Sequence, residues 1–300
     1  MSLIKHLRKG LKSWMRDINE SLFLDEYIQA HSSKVSQTLL SMHYREMLAL
    51  NDPLPCFEEV EFRAFSQNGE DGILLYIFSL LGTTNKTCIE MCCSDGIECN
   101  TANLLINHGW HGLLFDGKAE MIKKGRKFYA RCRDTRTWPP KLVHAWLTPE
   151  NCNSLIQENG FAGDIDLLSL DMDGVDYWVL KALECITPRV IVLEYNPRLG
   201  PNVSVTIPNS SDFRAKKLAG EEQKNYYGAS LAAFVKLAKQ KGYRLVGCER
   251  YGFNAFFVRA ELGTEILPEK SVADCFHHPY AKKAMEVGRL TLANRDLVEV

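Results

Sequence analysis

Short apolar runs in this chain repeatedly end in acids: Glu90 leads into Met-Cys92-Cys-Ser94-Asp95-Gly96, and then come Asp116-Gly117, Asp171-Met-Asp173-Gly174 and Glu194-Tyr195-Asn196. A carboxylate at a strand end can accept two neighbouring hydroxyls, one on each oxygen. It can also join amide oxygens around a hard divalent cation, or take the proton of a reacting hydroxyl. Asp116 suits the first task, with the ribose of a nucleotide cofactor as partner; the plainer alternative is that it only ends a strand. Asp171, Asp173, Glu194 and Asn196 could hold a cation such as Mg2+. The acids Asp171, Asp173 and Glu194 are equally candidates for orienting or deprotonating an acceptor, and spacing alone does not separate the two readings. Asp176 reads instead as a helix cap, because an acid in a first turn accepts free backbone N–H groups.

Other reactive residue types are less organised. Cys88, Cys92, Cys93 and Cys99 contain no C-x-x-C pair, so free buried thiols are expected rather than a metal or redox centre. His277-His278 beside Asp274 and Cys275 reads as a surface pair, and His108 and His144 as packing residues that could each serve as a base. Tyr226-Tyr227, ahead of Gly228, could offer aromatic faces to a sugar or fill the core.

The acids need a sheet to carry them. Apolar and β-branched runs predict strands at 88–91, 113–115, 142–146, 166–170, 190–195, 243–248 and 254–259, with helices at 70–81, 101–108, 119–128, 149–159, 176–184 and 229–241. Such alternation implies a mostly parallel sheet covered by helices on both faces. The last two strands are separated only by 249–253, so they must form an antiparallel hairpin. A seven-stranded α/β sheet of five βα units closed by a hairpin resembles the class I S-adenosylmethionine-dependent methyltransferase layout. Three parts are expected: a helical extension over 1–55, ended by Asn51-Asp-Pro-Leu-Pro, the α/β domain over 56–262, and a helical tail over 263–300. An insertion over 196–228 follows the fifth strand, where a lid over an acceptor would be anchored.

The chain has 300 residues, 46% apolar and 24% charged, which supports a large core and excludes disorder. With 36 basic against 37 acidic residues, no global field gathers nucleic acid. The N-terminal segment alternates Leu3, Leu7, Leu11 and Trp14 with basic residues; packing on the domain is the preferred reading and membrane contact the secondary one. There is no apolar leader, so a cytosolic protein with reduced thiols is expected. A dinucleotide oxidoreductase is disfavoured, because G-x-G-x-x-G is absent.

Ser66-Gln67-Asn-Gly-Glu70-Asp71, the stretch 90–101 with Glu98-Cys-Asn-Thr, Asp171-Met-Asp-Gly, Pro188-Arg-Val-Ile-Val-Leu-Glu-Tyr-Asn196 and Gly252-Phe-Asn-Ala-Phe-Phe-Val258 together resemble the FkbM-type methyltransferase family, over roughly 62–260. The resemblance implies methyl transfer from S-adenosylmethionine to a hydroxyl of a sugar, polyketide or similar metabolite. It implies that Glu90, Ser94, Asp95 and Gly96 line the methionine half of the cofactor, Asp116 its ribose, and Trp146 or Leu147 its adenine, with Cys92 and Gly117 also among the cofactor-binding residues. Ser66, Gln67, Glu70 and Asp71 would close over the site, and Asp171 would face the reacting centre. Cys92 departs from the family pattern, which has glycine there, and a Cβ costs on the order of 1–2 kcal/mol if φ is left-handed. A catalytically impaired binding module is therefore the alternative function.

Overall fold

The computed structural model describes residues 34–210, 213, 225–292 and 294–300. Of the expected N-terminal extension, 1–33 lies outside the described residues, as do 211–212 and 214–224 of the insertion. The strands are β1 (Thr87–Met91), β2 (His111–Asp116), β3 (Lys141–His144), β4 (Gly163–Leu170), β5 (Ile186–Glu194), β6 (Val205–Thr206), β7 (Tyr243–Cys248), β8 (Asn254–Arg259) and β9 (Val298–Glu299). Seven form one sheet in the order β3-β2-β1-β4-β5-β8-β7. Strands β1 to β5 pair in parallel, whereas β8 runs antiparallel to both β5 and β7. This is the class I methyltransferase arrangement, Rossmann-like with a reversed strand inserted beside β5.

Period-two alternation sends successive side chains to opposite layers. Ile89, Met91, Leu113, Phe115, Leu168 and Leu170 enter one core, and Cys88, Leu114, Leu167, Val190 and Val192 the other. Helices α1 (Lys34–Leu50), α2 (Phe57–Val60), α3 (Glu70–Leu81), α4 (Ala102–Asn107) and α5 (Ala119–Arg131) belong to the second layer. Helices α6 (Cys152–Glu158), α7 (Asp176–Ala182) and α8 (Leu231–Gln240) cover the first. Tyr44 of α1 meets Tyr76 of α3 edge to face at 4.8 Å, so this part of the extension packs on the domain. No helix among the described residues is long and apolar enough to cross a membrane.

The tail differs from the all-helical expectation. A short turn at Val272–Phe276 and helix α9 (Pro279–Thr291) are followed by β9, which pairs with β6 in a separate two-stranded sheet. Two-residue strands are too short to leave an alternation that a sequence reading can detect.

Candidate functional site

The loop after β1 is built from unusual backbone. Cys92, Ser94 and Gly96 have φ of 66°, 55° and 69°, so the chain turns back sharply at the sheet rim. The Cys93 N–H extends the β2 ladder by donating to Phe115 O at 2.9 Å. Glu90 lies beneath this loop: its carboxylate accepts from the N–H groups of Asn100 and Thr101, at 3.0 and 2.9 Å, and from the hydroxyls of Thr101 and Ser169. Both its oxygens thus tie the loop to β1. Asp95 pairs with Lys124 at 2.5 Å, and Gly125 of α5 lets the helix approach closely; a Cβ there would sit 2.3 Å from Asp95 O.

Asp116 ends β2 at the same rim. Its Oδ2 accepts from Ser94 N–H at 2.9 Å and its Oδ1 from Lys118 N–H at 2.7 Å, which leaves each oxygen a second lone pair. Gly117 follows, and the ring of Trp146 lies against it so closely that a Cβ would come within 2.7 Å of a ring carbon. Trp146 is 44% exposed, whereas Leu147 is in the core. The His144 ring meets Gly117 O at 3.2 Å, so this histidine is at the rim rather than packed inside.

The ends of β4 and β5 bring Asp171, Asp173 and Glu194 together, with one carboxylate oxygen of each within 4.8 Å of the others. Burial, and then the charges of Asp176, Asp173 and Glu90, push Asp171 up to about 7. Burial and Asp171 push Glu194 well above the usual carboxylate range. Two carboxyls this close repel each other as anions, so the pair keeps a proton to higher pH than an isolated carboxyl does. Such a pair can lose its proton to water when a cation binds, or, once ionised, take one from a substrate hydroxyl. Cys92 faces Asp176, Asp116, Asp171 and Asp173, and burial with this negative surround pushes its thiol up, so it stays protonated.

Asp176 is structural, as expected: it is buried and accepts from the N–H groups of Met172 and Gly174, at 2.7 and 2.9 Å. Asn196, expected among the cation ligands, is tied to backbone groups on both sides. Its Oδ1 accepts from Arg198 N–H at 3.1 Å, and its Nδ2 donates to Asn225 O at 2.9 Å and Tyr227 O at 3.0 Å. The segment from Ser66 approaches from the other side. Asp71 accepts three backbone N–H groups, from Ala64, Phe65 and Ser66, and Glu70 holds Asn254 at 2.8 Å, opposite Glu194 in the β5–β8 register. Gln67 is exposed.

The remaining sequence candidates are resolved more simply. All ten cysteines are free. The Nδ1 of His278 accepts from Tyr280 N–H at the start of α9, while His277 is exposed. His108 bonds Gln37 at 2.7 Å, and burial lowers it to about 4, so it is a neutral packing residue. Arg198 and Tyr227 were not singled out together: their contact links residues far apart in sequence, and only an arginine directly after a strand-end Asn-Pro hinted at it.

No family model and no curated protein matches the chain. Among solved structures, the chain is similar to the methyltransferase domain of bacterial CtHen1 (13% identity, 63% of this chain and 97% of that one, TM-score 0.40). It is also similar to a putative caffeoyl-CoA O-methyltransferase from Staphylococcus aureus (11%, 81% and 99%, 0.40). An O-methyltransferase from Bacillus cereus in complex with SAH gives 13% identity, 74% and 89% coverage, and 0.40.

Proposed function

We propose that the chain is an S-adenosylmethionine-dependent methyltransferase acting on a hydroxyl oxygen of a small-molecule or glycan acceptor, in the FkbM-type manner that its motifs resemble. One observation carries this reading: Asp116, which keeps a free lone pair on each oxygen, and a protonatable acid cluster at the ends of β4 and β5 flank the same β1 loop. When bound, S-adenosylmethionine supplies an electrophilic methyl group. Asp116 holds the ribose hydroxyls and the exposed face of Trp146 offers a platform for adenine. The acceptor hydroxyl meets the Asp171–Glu194 pair, which orients it and takes its proton. The three converging carboxylates of Asp171, Asp173 and Glu194 also suit a hard cation such as Mg2+, which would lower the acceptor's own pKa.

Calorimetry with S-adenosylhomocysteine tests the reading. The wild type should bind and Asp116→Ala should lose binding at least tenfold; equal affinities would remove Asp116 from the site. One observation favours a second reading, an impaired binding module: Cys92 adopts φ 66°, so its Cβ carries the strain that glycine avoids. That reading wins if the wild type binds no S-adenosylhomocysteine and Cys92→Gly restores binding.

A further inference from the structure

Beside the acid cluster, Arg198 presents a cation with little to hold. Its Nη1 donates to the Tyr227 hydroxyl at 3.3 Å, and its Nε is buried without a hydrogen-bond partner, one of three such atoms among the described residues. By contrast, the guanidinium of Arg244 donates to the carbonyls of Leu267, Arg259, Ala260 and Leu262. A guanidinium is a rigid fork of donors that matches an oxyanion geometrically.

Arg198 is also held in place before any ligand arrives. Asn196 caps the turn Pro197–Leu199 through Arg198 N–H and grips the Tyr227 carbonyl, so one side chain fixes both partners. Helix α9 presses on the turn from outside: at Gly288 a Cβ would be 1.9 Å from Arg198 O, so only glycine allows the contact. Tyr227 lies within electrostatic reach of Glu194 and Asp173 as well as Arg198, which puts the pair next to the acids that meet the acceptor hydroxyl.

We propose that Arg198 and Tyr227 form an oxyanion subsite, so that the acceptor is an anionic metabolite carrying a carboxylate or phosphate ester close to the hydroxyl that reacts. The assignment of that anion to an acceptor rests on the methyl-transfer reading; the subsite itself does not. The partly exposed guanidinium of Arg198 and the Tyr227 hydroxyl donate to the anion, while the nearby acids repel one bound out of register.

The test is an NMR titration of the 15N-labelled full chain, following the Arg198 Nε–H resonance, assigned by its loss in Arg198→Lys. Inorganic phosphate and acetate are added separately at constant ionic strength against chloride. A saturable shift with either supports the subsite, and the tighter of the two tells phosphate ester from carboxylate. Tyr227→Phe should weaken that binding at least about threefold. Absence of a saturable shift with both anions overturns the proposal, as does a shift that chloride reproduces. S-adenosylhomocysteine binding is measured on the same sample. Cofactor binding without an anion response removes only the subsite, and the reverse removes methyl transfer while the subsite stands.

Discussion

The Asp171–Glu194 pair sets the residue-scale chemistry. With Asp171 pushed up to about 7, the proton-accepting form grows as pH rises. With an acceptor in hand, kcat/KM should climb through about pH 7, and Asp171→Asn should lose that limb with a fall of about 100-fold. A pH–rate profile of both proteins checks this. Cys92→Gly should stabilise the fold by about 1 kcal/mol, measured by urea unfolding, since it relieves the left-handed Cβ. The acids Asp116, Asp171 and Glu194 were legible as strand-end groups because each directly follows or ends an apolar run, and Asp173 lies two residues beyond Asp171. The tie from the Asn196 amide to the Tyr227 carbonyl, 31 residues away, was not, because no local spacing reports a contact between distant residues.

At the scale of elements, the rim depends on how closely helices approach the β1 loop. Gly125→Val should drive α5 off the Asp95 carbonyl, destabilise the chain by about 1–3 kcal/mol and weaken S-adenosylhomocysteine binding; thermal melts and calorimetry together would show both effects. A variant with normal binding would show that α5 does not position the loop. Strands β7 and β8 run over the predicted spans because Gly252 lies in the only short link between two β-branched or aromatic runs. Helix α3 likewise matches its predicted span, stopped by Gly82 at φ 65°. The β6–β9 pair and the short helix α2 escaped because each is too short for its pattern to repeat.

Across the whole molecule, buried acids dominate the response to pH. Burial pushes Asp71 and Asp176 up to about 6, and Glu249 and Asp171 up to about 7, overcoming the N–H bonds that favour the anions of Asp71, Asp176 and Glu249. In the unfolded chain carboxylates titrate near 4, so the folded state binds these protons more tightly. Their contribution to stability is complete below about pH 4 and is lost as pH rises through about 6–7. The unliganded protein should therefore melt at lower temperature at pH 8 than at pH 5, a loss on the order of a few kcal/mol. Millimolar Mg2+ should recover part of it through Asp171, Asp173 and Glu194, and Asp171→Asn should abolish that recovery. A calorimetric scan against pH, with and without Mg2+, decides both.

Strand β8 sits between β5 and β7 although both precede it in the chain. During synthesis, β5 therefore waits with a bare edge of Val190, Val192 and Leu193 until residues beyond 254 leave the ribosome. A nascent chain halted before that point is the form of this protein most exposed to aggregation, and the one in greatest need of a chaperone.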